Sequence, residues 1–178
     1  MAKQIFNEVM KKNKNLIWWG ISLAFFAGLI ILFVFNQGKK QPDQTIYSAS
    51  VLSAVENTFD FNIISMKDGK VSHRFELKNN GEESVFIEKV YTSCMCTTAS
   101  IIDAAGKNQG TFGMLGHDSL SKANVEVRPG ESIFADVVFD PAAHGPSGTG
   151  KVKRLVYLET NSKTNPKIQF SFNAEVIN

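Results

Sequence analysis

Cys94 and Cys96 are the only two cysteines of the chain, and they stand one residue apart in the run Val90-Tyr91-Thr92-Ser93-Cys94-Met95-Cys96-Thr97-Thr98. Four chemistries are open to such a pair. The thiols can pack, or close a local disulfide that fixes the end of a strand, although a bridge over one residue is strained and easily reduced. They can exchange with other disulfides, which favours a thiolate near a helix N-terminus or a cation; Lys89 is the only nearby cation in sequence. They can ligate a soft metal, because thiolates and thioethers select Cu(I), with Met95, Met114, His117 and His144 as candidate further ligands. They can also pair with a cysteine of a partner. On a strand, residues i and i+2 share a face, so both sulfurs would emerge together.

The remaining reactive side chains form no recognisable catalytic pattern. His73 falls on the apolar side of an alternating run, the place of a core or sheet histidine, whereas His117 and His144 lie in glycine-rich stretches. There is no Ser-His-Asp order, phosphate-binding glycine loop, HExxH or paired-carboxylate motif. That argues against hydrolytic and nucleotide chemistry, and no enzyme activity is expected. A net charge of +2, with the lysines scattered, argues against nucleic-acid binding.

The elements that must hold the cysteines alternate with period two. From Thr58 onward, Phe59, Phe61 and Ile63 alternate with polar residues; Val71, His73, Phe75 and Leu77 follow, then Val85 and Ile87 leading into the cysteines. After an irregular stretch over 102–122 come Val125 and Val127, then Ile133 to Phe139. The last two runs are Val152, Val156 and Leu158, broken by Arg154, and Ile168 to Val176. Asp68-Gly69, Asn79-Asn80-Gly81 and Pro129-Gly130 mark turns between them. Val51 to Val55 fits either a short helix or a strand. About seven short strands, each with one apolar face, predict an all-β, immunoglobulin-like antiparallel β-sandwich.

Upstream, Leu16 to Phe35 is an uncharged apolar run with Trp18 and Trp19 near one end. At ~1.5 Å per residue it is long enough for the ~30 Å hydrocarbon core. It exceeds a signal-peptide h-region, and no A-x-A site follows. The expected organisation is therefore a cytoplasmic head (1–15), a transmembrane helix (16–35) acting as a signal anchor, a tether (36–55) and an exported sandwich (56–178). Lys3, Lys11, Lys12 and Lys14 outnumber Lys39 and Lys40, which places the N-terminus in the cytoplasm of a bacterium and the sandwich in the periplasm or outside. Gly20, Ala24 and Gly28 form a small-residue face suited to pairing with another membrane helix.

The run from Gly69 to Gly81, then Tyr91-Thr92-Ser93-Cys94-Met95-Cys96-Thr97, Arg128-Pro129-Gly130-Glu131 and Phe139-Asp140-Pro141 together resemble one family. It is the bacterial domain-of-unknown-function family 1573, related to the immunoglobulin-like domains named after Hydin and ASPM–SPD-2. The resemblance covers roughly residues 56–177. Where the family usually has glycine between the cysteines, this chain has Met95, and its 102–122 connection is longer. The resemblance implies the fold and an exported location, and it implies no reaction. The function expected from this layout is a membrane-anchored, protein-binding accessory or scaffold subunit without a cofactor, its partners other membrane or periplasmic proteins. The alternative is Cu(I) binding and delivery, or thiol redox chemistry, at Cys94-Met95-Cys96. Anchor, sandwich and thiol pair together are similar in layout, though not in sequence, to membrane-anchored copper-delivery proteins.

Overall fold

The computed structural model describes residues 18–19, 22–23, 25–29, 47–117 and 121–178. Most of the apolar run 16–35 lies outside them, as do Gly20, Ala24 and the flanking lysines. The described pieces of that run are helical. Among the described residues, no helix is long and apolar enough to cross a membrane. Gly28 is helical and has open space where a Cβ would stand.

Residues Thr45–Asn178 form a compact unit of their own. Its strands are β1 (Leu52–Ala54), β2 (Thr58–Ser65), β3 (Val71–Asn79), β4 (Val85–Thr92), β5 (Thr97–Ile102), β6 (Asn108–Phe112), β7 (Lys122–Val127), β8 (Ser132–Phe139), β9 (Gly150–Thr160) and β10 (Lys167–Ile177). They build two five-stranded sheets, ordered β1-β3-β8-β5-β6 and β2-β10-β9-β4-β7. The architecture is an immunoglobulin-like β-sandwich with ten strands among the described residues rather than about seven.

Alternation is what buries the core. Phe75 and Leu77 of β3, Ile133 to Phe139 of β8, and Phe170, Phe172 and Val176 of β10 turn every second side chain inward. The facing rings meet between the sheets: Phe75 and Phe170 stack at 4.5 Å, and Phe139 and Phe172 lie 5.1 Å apart. Such buried aromatic pairs supply area and specific geometry together.

Four expectations are corrected. First, β1 falls inside the expected tether; Leu52 is fully buried and pairs with Asn79, so the sandwich begins before residue 56. Second, the pairing is not wholly antiparallel, because β2 runs parallel to β10. Third, alternation in β2 breaks at Asn62. That residue has φ of 59°, its N–H bonds the Asp60 carboxylate at 2.8 Å, and the register slips beside it. The bulge turns Ile63 out to 65% exposure and packs Ile64 on the core instead. Fourth, the stretch 102–122 is not all irregular: β6 pairs with β5 and forms the edge of its sheet. The Asp68-Gly69 turn is present, but it carries the chain from one sheet to the other and closes no hairpin.

Candidate functional site

The cysteines lie in a turn and not on a strand. β4 ends at Thr92 in one sheet and β5 starts at Thr97 in the other, so the chain crosses between sheets over four residues. Thr97 N–H bonds the Cys94 carbonyl at 3.1 Å and closes a tight turn with Met95 and Cys96 at its centre. Thr92 holds that turn from inside: its hydroxyl is shared between the Cys94 and Thr97 carbonyls at 2.9 and 3.0 Å. Ser93 anchors it from outside through paired bonds with Leu155. In this geometry the sulfurs differ. Cys96 is buried at 3% exposure, Cys94 is half-buried, and Met95 is exposed.

A second crossover supplies the next residue. β8 ends at Phe139, and Asp140 N–H bonds the Cys96 carbonyl at 2.9 Å, locking the two crossovers side by side. The Gly/Pro segment that follows then delivers His144, whose Nε2 lies 3.2 Å from Cys94 Sγ. The third contribution comes from β9. Arg154 interrupts the apolar face of Val152, Val156 and Leu158 because it points at the cysteines: its Nε–H donates to Cys96 Sγ at 3.2 Å. Its guanidinium also lies over the Phe139 ring at 6.0 Å.

The donor atoms of Cys94, Cys96 and His144 all lie within 4.8 Å of one another. Among the described residues this is the one such cluster of histidine, cysteine and acidic side chains. The other candidates are placed elsewhere. His117 is exposed, in a turn closed by its N–H to the Met114 carbonyl, and is not in the cluster. Met114 forms a bridge with Thr92, beside the turn. His73 stacks on Phe59 at 3.6 Å and bonds Glu56, the satisfied sheet residue its position predicted. Arg154 went unrecognised because it is remote in sequence from the cysteines; the broken apolar face was its only signal.

The two thiols are pushed apart electrostatically. Burial raises Cys94, but hydrogen bonds from the Cys96 thiol and N–H, the His144 contact and the Arg154 charge outweigh it and bring it down to about 7. Cys96 moves up, chiefly because it is buried and also because it bonds to the Cys94 sulfur; Arg154 and Thr97 only partly offset this. Since the thiolate is the nucleophile, iodoacetamide should modify Cys94 of the metal-free chain at least roughly tenfold faster than Cys96. That reactivity should fall away as pH drops through about 7, where Cys94 protonates. Peptide mapping by mass spectrometry measures both; equal labelling of the two would contradict this geometry.

Chemically, the arrangement offers two thiolates and an imidazole to one centre. Bonds of ~2.3 Å to sulfur and ~2.0 Å to nitrogen, as at zinc, place donors roughly 3.5–4.5 Å apart, so only small movements are needed. The donor set fits a soft ion.

Residues 52–112 match the family described as Protein of unknown function (DUF1573). The match runs from β1 to β6 and includes the cysteines, while His144 and Arg154 lie beyond it. No curated protein matches the chain. Among solved structures, a protein of unknown function from Porphyromonas gingivalis is similar at 16% identity and a TM-score of 0.54, over 75% of this chain and 51% of that one. This chain thus spans about half that protein's length, and the likeness is one of fold. The PapD-like domain 7 of human CEP192 is similar at 12% identity and a TM-score of 0.44, over 79% of this chain and 96% of that one. The YadV chaperone is similar at 8% identity and a TM-score of 0.43, over 74% and 53%.

Proposed function

We propose that this chain is a single-pass, membrane-anchored protein whose exported immunoglobulin-like domain binds Cu(I) through Cys94, Cys96 and His144. The observation that carries the reading is the convergence of three soft or borderline donors from two crossovers, 50 residues apart in sequence. The Cys94-Met95-Cys96 spacing alone favoured a structural role, with soft-metal binding as the main alternative. A histidine delivered to the same point by another loop favours the metal. The membrane placement rests on the uncharged run Leu16 to Phe35 and the lysine excess before it. In this reading the N-terminus is cytoplasmic, and the sandwich works outside the bacterial inner membrane as a binding module rather than an enzyme.

The test is anaerobic titration of the reduced full chain in detergent with Cu(I), in competition with a chromogenic chelator. One ion per chain is expected, with affinity lost in Cys94→Ser and weakened in His144→Ala. Absence of binding, or binding indifferent to both substitutions, overturns the reading.

A second reading, an accessory or scaffold subunit, is favoured by one observation. Met95 is 55% exposed and Leu115 51% exposed, on the two segments that meet at the Thr92–Met114 bridge. Exposed apolar side chains at one end of a domain suit a protein partner. Gentle detergent extraction from native membranes, followed by identification of co-purifying proteins, checks it. A solitary monomer, unchanged by Met95→Asp, would remove it.

A further inference from the structure

We infer that Arg154 is the specificity-determining residue of the cysteine site, selecting a monovalent over a divalent ion. The inference rests on the Cu(I) reading above and narrows its ligand class.

The donor set alone does not make this choice. Two cysteines and a histidine with a fourth position open are also an established zinc arrangement. The charge count differs between the two ions. Two thiolates around Cu(I) carry a net charge of −1, and two thiolates around Zn(II) are neutral. A guanidinium therefore neutralises the first complex and leaves the second with an unbalanced positive charge. Arg154 is placed to act in this way. It is partly buried, its Nε–H meets Cys96 Sγ at 3.2 Å, and its Nη1–H is held by the Lys153 carbonyl at 3.0 Å. Its position over the Phe139 ring holds the guanidinium in place beside the sulfurs.

The neighbouring charges do not cancel it. Asp140, the acidic residue on the adjoining crossover, turns its carboxylate to Ala142 N–H at 3.0 Å and to Lys70 at 3.8 Å. Lys153 is exposed on the opposite side of the strand. The hydrogen bond to Cys96 has a second effect. It withdraws electron density from that sulfur, which weakens its bond to a divalent ion more than its bond to a soft monovalent one.

The test compares Cu(I) and Zn(II) affinities of the reduced, anaerobic full chain in detergent, each by chelator competition, for the wild type, Arg154→Met, Arg154→Gln and Arg154→Lys. Arg154→Met should lower the Cu(I)-to-Zn(II) affinity ratio by ~10–100-fold, the range typical of outer-shell partners. Arg154→Gln keeps a donor without the charge and should lose most of the ratio, whereas Arg154→Lys should keep most of it. An arginine that only props the loop would weaken both ions together and leave the ratio unchanged, and that result overturns the inference. If Arg154→Met does not fold, Arg154→Gln against Arg154→Lys decides the same question. Failure of the wild type to bind Cu(I) overturns the underlying reading, and this inference falls with it.

Discussion

Cys96→Ser is expected to abolish tight Cu(I) binding while leaving the sandwich folded. Cys96 is the buried donor at the centre of the turn, and its carbonyl is tied to Asp140 N–H. Outer-shell groups at metal sites typically contribute ~10–100-fold in affinity, so loss of a thiolate ligand should exceed about a hundredfold. Folding should survive for a specific reason. A serine hydroxyl in this place can accept the Arg154 Nε–H that now meets the sulfur at 3.2 Å, and Thr97 Oγ1 lies 3.7 Å from it. A buried hydroxyl with partners costs little, whereas an unpaired one would cost about 1–3 kcal/mol. Chelator competition and a thermal melt on the same preparation separate the effects. A collapsed melt would show that Cys96 is a packing residue first, and an unchanged affinity would remove it from the metal site.

The largest effect on stability should come from Asn79→Leu, well away from the cysteines. Asn79 is fully buried at the end of β3. Its amide donates to the Glu83 and Val127 carbonyls at 2.8 and 2.9 Å, and its Oδ1 accepts from Gly81 N–H at 3.0 Å. Its own backbone is paired with the β7–β8 turn: its N–H donates to the Glu131 carbonyl at 3.0 Å, and its carbonyl accepts from Gly130 N–H at 2.9 Å. One side chain therefore satisfies three main-chain groups where two turns meet. Leucine is similar in size but offers none of these bonds. With the Val127 carbonyl stranded in the core and two half-buried groups released to partial solvent, the expected cost is about 3 kcal/mol. Urea denaturation should show an earlier midpoint with an unchanged slope. A shift under about 0.5 kcal/mol would place this residue among ordinary surface substitutions and refute the account.

The seven runs of alternation that stand out in the sequence are β2, β3, β4, β7, β8, β9 and β10. They comprise all of one sheet and only two strands of the other. The other three all belong to that other sheet: β1 was open between a strand and a short helix over Val51 to Val55, and β5 and β6 were not legible. β5 does alternate Thr97, Ala99 and Ile101 inward, but its small and hydroxyl residues carry a weak signal. β6 reads Asn-Gln-Gly-Thr-Phe, with one buried side chain, as an edge strand can. The bulge at Asn62 is invisible to a period-two count, because Asn is among the few residues that tolerate left-handed backbone. The cysteines were legible as a pair, but their pairing with His144 and Arg154 depends on two crossovers meeting, and no local pattern encodes that.

The parallel pairing of β2 with β10 has a consequence for assembly. Thr58 sits beside Ser171, 113 residues later, and their side chains share a 3.1 Å hydrogen bond. β2 lies at the edge of its sheet and has β10 as its sole strand neighbour. During synthesis the first half of the chain therefore cannot complete its sheet, and Phe61, whose ring meets Phe172 at 5.3 Å, lacks that cover until the final strand emerges. Closure at such sequence distance is slow. A chain of this kind remains threadable for most of its manufacture, a useful property for any polypeptide that must pass through a narrow translocation pore before it folds.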